Sequence, residues 1–145
     1  MHFEELKDYI IKNQSVFHIK KYDVGVLVGS HDFDDENAVG YYAEGYGITH
    51  KGDIILFANL HDISNYHTYT NDYIRESWSF SPHVQFHHLE KMLRTSLTNG
   101  TLWIKSQNMF VFVNNKKCEI KDVRLDKKLK VIILEVEDEF ESSEN

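Results

Sequence analysis

"MFVFVNNKKCEIKDVRLDKKLKVIILEV", residues 109–136, decides the fold class. It divides into three runs of strand-forming residues separated by two turn signals. Met109 to Val113 is a continuous apolar run, and Asn114-Asn115 is a tight-turn dipeptide. "KKCEIKDV" follows, then Asp126-Lys127-Lys128 as a second turn, then "KVIILEV". Three strands joined by short turns predict an antiparallel meander. With "TLWIKS" at 101–106 as a further strand, the meander covers roughly 101–136. Met109–Val113 and Val131–Leu134 are apolar on both faces, so these strands are expected at the centre of a sheet under helical cover.

The cover is expected from two helices. Residues 2–13 place Phe3, Leu6 and Ile10 on one stripe and charged residues elsewhere. In "SPHVQFHHLEKML", residues 81–93, Ser81 reads as an N-cap and Pro82 as the first helical residue. Phe86, Leu89, Met92, Leu93 and Leu97 repeat at helical spacing up to Asn99-Gly100, a stop signal, which predicts a helix over about 82–98. "DVGVLVGS" (23–30) reads as a buried strand. Two more strands are expected at about 38–49 and 53–59, turning at Lys51-Gly52-Asp53. Residues 60–80 have no clear period, and a short helix near 70–77 is the expectation there. The pattern is α+β: a single domain at 1–136, mainly an antiparallel sheet covered by an N-terminal helix and a longer central helix. Residues 137–145, "EDEFESSEN", form an acidic, flexible tail.

Composition narrows the function classes. The chain has 145 residues, a net charge of −7 and one cysteine, Cys118, so neither an internal disulfide nor a cysteine zinc cluster can form. The acidic excess argues against nucleic acid, which requires a basic footprint. No apolar run approaches the ~20 residues that cross a bilayer, and the acidic start does not read as a signal peptide, so the expectation is a cytoplasmic protein without a membrane segment. The charge is uneven: residues 1–70 carry five Lys and eleven acids, whereas residues 71–136 carry eleven bases and seven acids.

Chemical motifs are weak. On a helix over 82–98, His83, His87, Glu90 and Arg94 share the polar side opposite Leu89, while His88 lies on another flank. The zincin pattern needs Glu directly after the first His, and Val84 stands there. "HDFDDEN" (31–37) alternates Asp32, Asp34 and Glu36 but lacks the glycine of an EF-hand loop. "HTYT" (67–70) has no second copy, and the glycines of "GYYAEGYG" fit no phosphate loop. Cys118 reads as an inert packed thiol. No metal or cofactor is expected.

Two features point to recognition. Asp32, Asp34, Asp35 and Glu36 form an acidic loop that would steer toward a basic partner. Tyr66, Tyr69 and Trp78 lie in an aromatic stretch over 41–80, and such rings anchor interfaces. The leading expectation is a small binding protein that inhibits or neutralises a basic protein partner such as a toxin, in the manner of immunity proteins and phage inhibitors. A His-dependent hydrolase or nuclease using His61, His67, His83 and His87 is the alternative, and a phage structural component a further one. The hydrolase requires two of these imidazoles in one pocket.

Overall fold

The structure is a computed structural model that describes residues 1–29, 39–80, 82–91 and 107–137. The acidic loop at 31–36, residues 92–98 of the expected central helix, the strand expected at 101–106 and the tail from 138 lie outside the described residues.

The elements are α1 (Phe3–Lys12), a 3₁₀ turn (Ile19–Lys21), β1 (Asp23–Val28), β2 (Val39–Tyr42), β3 (Gly45–Thr49), β4 (Ile54–Phe57), α2 (His61–Tyr69), β5 (Ile74–Ser79), β6 (Met109–Val113), β7 (Lys116–Asp126) and β8 (Val131–Val136). Eight strands form one curled sheet in the order β2-β1-β8-β7-β6-β4-β3-β5. The expected meander is present as β6-β7-β8. Asn114 and Asn115 both take positive φ, 54° and 62°, so the β6–β7 turn has the two-residue geometry that fits sheet twist. Most strand pairs are antiparallel, as expected. The exceptions are β1 with β8 and β4 with β6, which are parallel and flank the meander on either side.

The curl comes from one short link. β2 ends the sheet on one side and β3 lies near the other end, yet only Ala43 and Glu44 separate them. Ala43 N–H donates to Val24 O at 2.8 Å, while Glu44 N–H donates to Phe57 O at 2.9 Å. The chain therefore passes from the β1 side to the β4 side within two residues, which bends the sheet round on itself. Phe80 and Val84 complete the join. Phe80 N–H donates to Glu44 O at 3.0 Å, and Val84 N–H donates to Ala43 O at 2.9 Å.

Side-chain alternation then sorts the cores. Val24 and Val26, Ile54 and Leu56, Met109 and Val111, and Ile132 and Leu134 point inward to one main core. α1 closes it with Phe3, Leu6 and Ile10, and Phe3 stacks on Phe86 with ring centroids 5.7 Å apart. Each such side chain, fully buried, contributes about 1.5–3 kcal/mol. The α1 start is held by His2, whose Nδ1 accepts from Glu4 N–H at 3.1 Å, and by Glu5, whose carboxylate accepts from His2 N–H at 3.1 Å. The outward residues Ile55, Phe57 and Phe112 form a second, smaller core with Tyr66 of α2.

Three expectations need correction. The segment expected to be helical from 82 is extended through 85 and helical over 86–91. Val84 is the reason: its N–H bonds Ala43 and its carbonyl accepts from Val24 N–H, so both groups are committed to strand partners. The expected helix near 70–77 is β5, and the helix of this region is α2, at His61–Tyr69. The strand expected over 38–49 is broken at Ala43-Glu44.

Glycine supplies close approach on β3. A Cβ on Gly45 would sit 2.8 Å from Ile63 Cδ1 and 3.0 Å from Trp78 O, and one on Gly47 would sit 2.8 Å from Ile74 Cγ2. "GYG" is thus the contact line of β3 with α2 and β5, a packing role and not a phosphate cradle.

Candidate functional site

Two groups of chemistry-bearing side chains stand out. The first is the corner formed by α2 and β5. Tyr66 points from α2 into the second core, meeting Phe112 at 5.2 Å and Phe57 at 6.0 Å, both edge-on. It is fully buried, so its ring supports the surface and does not form it. Burial and the nearby Asp72 carboxylate push its hydroxyl up to about 12. One turn on, Tyr69 packs its ring 6.4 Å from Phe112 while remaining 53% exposed. Tyr73 is 52% exposed, and its hydroxyl lies 3.0 Å from His50 Nδ1 with the two rings stacked. Trp78 is half-buried on β5 and stacks on Tyr46 of β3 at 5.4 Å. The three aromatic residues singled out from sequence therefore serve different ends. Tyr69 is a surface ring, Tyr66 a core ring, and Trp78 a partly buried ring packed on the main core, on the opposite face of the sheet from the other two. Tyr73 was missed. Its signal was the unbroken polar-aromatic composition of 60–80.

The second group is the seam between β1 and residues 82–91. The backbone bridge between Asp23 and Gln85 brings their side chains together. Gln85 Nε2 donates to Asp23 Oδ1 at 3.2 Å, and Gln85 Oε1 lies 2.8 Å from His87 Nε2. An amide nitrogen facing a carboxylate fixes the amide orientation, so the imidazole Nε2 is the donor to Oε1. His83 Nδ1 lies 3.5 Å from Asp23 Oδ2, and its ring stacks on Tyr42 at 4.4 Å. His88 Nδ1 accepts from Gln85 N–H at 2.9 Å, and its ring stacks on Phe80 at 4.1 Å. Burial, then Lys21 and Lys91, hold His87 below the usual imidazole range, against the opposing pull of Glu90. Burial, then His87 and Lys91, do the same to His88.

The helical face expected to unite His83, His87, Glu90 and Arg94 does not exist as such. His83 lies on extended chain, His87 reaches back to Gln85, and Glu90 pairs with Lys20 at 3.4 Å. Arg94 lies outside the described residues. His61 and His67 belong to α2, which packs on β3, β5 and β6, whereas His83 and His87 bond at the β1 seam. Among the described residues no group of three His, Cys, Asp or Glu side chains is arranged to hold a metal ion. Cys118 is buried on β7, its thiol 3.8 Å from Lys116 O. Among the described residues no helix is long and apolar enough to cross a membrane.

Comparison with known protein families, curated proteins and solved structures finds no match to this chain.

Proposed function

We propose that this chain is a binding protein that inhibits or neutralises a basic protein partner, as immunity proteins and phage inhibitors do. One observation carries the reading: Tyr69 at the end of α2 and Tyr73 just before β5 stand about half exposed, each with its ring packed against a neighbouring ring, Phe112 and His50 respectively. Half-exposed rings fixed by a packed core lose little side-chain freedom on binding and bury a large area, as interface anchors do. Tyr69 gains this fixity from Phe112, which also meets Tyr66 one turn earlier on the same helix. The net charge of −7 supplies long-range attraction to a basic surface, and Asp32, Asp34, Asp35 and Glu36 concentrate acidic residues in one short stretch of the sequence.

Calorimetric titration against the product of the adjacent gene tests the reading. A complex whose affinity falls about tenfold or more between low and moderately high salt is expected, since rim charges are screened over roughly 10 Å. No heat of binding, or binding indifferent to salt, overturns it.

A further inference from the structure

We propose that the seam between β1 and residues 82–91 is an acid-released latch, closed while His87 and His88 are neutral and opened when they take up protons. The backbone part of the latch is small. Val24 N–H donates to Val84 O at 2.9 Å, Val84 N–H donates to Ala43 O at 2.9 Å, and Asp23 bridges Gln85. The side-chain part depends on imidazole nitrogens in one protonation state.

His88 Nδ1 is an acceptor, receiving Gln85 N–H at the start of the helical turn. An imidazolium carries N–H on both nitrogens and cannot accept, so protonation of His88 removes this cap. His87 spends its Nε2 proton on Gln85 Oε1, which leaves Nδ1 to take any further proton. The charge then appears beside Lys21 and Lys91 and next to the His88 ring, 4.2 Å away. The bridge accounts for this crowding: Lys21 stands two residues before the bridged Asp23 and His87 two residues after the bridged Gln85, so the two turns that carry them are brought together.

The surrounding groups do not all act in one direction. From the same segment come His83, Glu90 and Lys91, and from β1 and the turn before it Asp23, Lys20 and Lys21. Tyr46 of β3 donates its hydroxyl to His88 O at 3.3 Å, and Phe80 stacks on the His88 ring. Glu90 favours the charged imidazole but is shared with Lys20. The Phe80 face also favours a cation. His83 Nδ1 lies 3.5 Å from Asp23 Oδ2, and that pair holds the proximal end of the latch. Burial and the lysines outweigh these terms and keep His87 and His88 neutral near pH 7. Opening frees Val84, Phe86 and Leu89, all fully buried in the main core, and so exposes the sheet interior along β1.

Hydrogen-exchange mass spectrometry on the full chain at about pH 7.5 and about pH 5, corrected for intrinsic exchange, tests the latch. Protection of 82–91 is expected to fall about tenfold or more in acid, and by clearly more than that of β6–β8, which follows only the change in global stability. The double variant His87→Gln with His88→Asn keeps amide groups at both places and cannot titrate, so its 82–91 protection should be the same at both pH values. Loss of protection in β7 as large as that in 82–91, or an equal acid loss in the double variant, overturns the proposal. Should the double variant fail to fold, His88→Asn alone must reduce the acid loss at least threefold or the latch is refuted, an expectation set by about half a pKa unit of effect.

Discussion

Asp23 and Gln85 are joined twice, by a backbone bridge and by Gln85 Nε2 donating to Asp23 Oδ1 at 3.2 Å. That double contact ties the first residue of β1 to the segment following β5, elements 62 positions apart in the chain. Around it the sheet closes, and around it three imidazoles collect.

Global stability should therefore depend on pH in a definite direction. His87 and His88 both have lowered pKa values when folded, so the unfolded chain binds protons first as pH falls. Stability is fully present above the unfolded imidazole value of about 6.5 and declines as pH drops from there through the lower folded values. Urea midpoints at neutral pH and near pH 5.5 check this. An equal or higher midpoint in acid contradicts it.

Tyr66→Phe should not destabilise the protein. The Tyr66 hydroxyl is buried and, among the described residues, has no partner of good hydrogen-bond geometry; the Thr70 hydroxyl near it donates to the Tyr66 and Asp72 carbonyls instead. An unpartnered buried polar group costs about 1–3 kcal/mol, so its removal is expected to leave stability unchanged or raise it by about 1 kcal/mol. Thermal denaturation decides. A loss above about 1 kcal/mol would mean that the hydroxyl is satisfied, for instance by bound water.

Gly45→Ala should be costly. The new methyl would meet the Ile63 side chain, which can turn, and the Trp78 carbonyl oxygen, which belongs to the β3–β5 ladder and cannot. Overpacking of this kind costs about 1–3 kcal/mol. Gly40→Ala is the control, since a Cβ there comes no closer than 3.9 Å to Val26 O. Denaturant midpoints of the two variants should differ clearly, and equal midpoints would contradict the packing account of "GYG".

The sheet was legible in the sequence because its signals are local. Asn114-Asn115 and the apolar runs around it specify a hairpin whatever lies elsewhere. Likewise, Phe3, Leu6 and Ile10 mark α1 by spacing alone. The start of the central helix was not legible, because Ser81-Pro82 is a sound local start that a distant contact overrides. Val84 is drawn into the strand by Val24 and Ala43, and no sequence window contains all three. α2 was hidden because its buried residues include Asp62 and Tyr66, so no clean apolar stripe remains. The parallel pairs of β1 with β8 and β4 with β6 depend on crossovers, which carry no turn signature. For the site, the list of aromatic residues was readable but their depth was not. Tyr66 and Tyr69 lie three residues apart on one helix and both meet Phe112, yet the first is fully buried and the second about half exposed, a difference in depth that no local pattern encodes.

The most direct test of the central claim is hydroxyl-radical footprinting of the chain alone and in complex with the adjacent gene product. The account predicts that Tyr69 and Tyr73 lose reactivity on binding while Tyr66, already buried, does not change. Undiminished reactivity of both exposed rings in a saturated complex would contradict it.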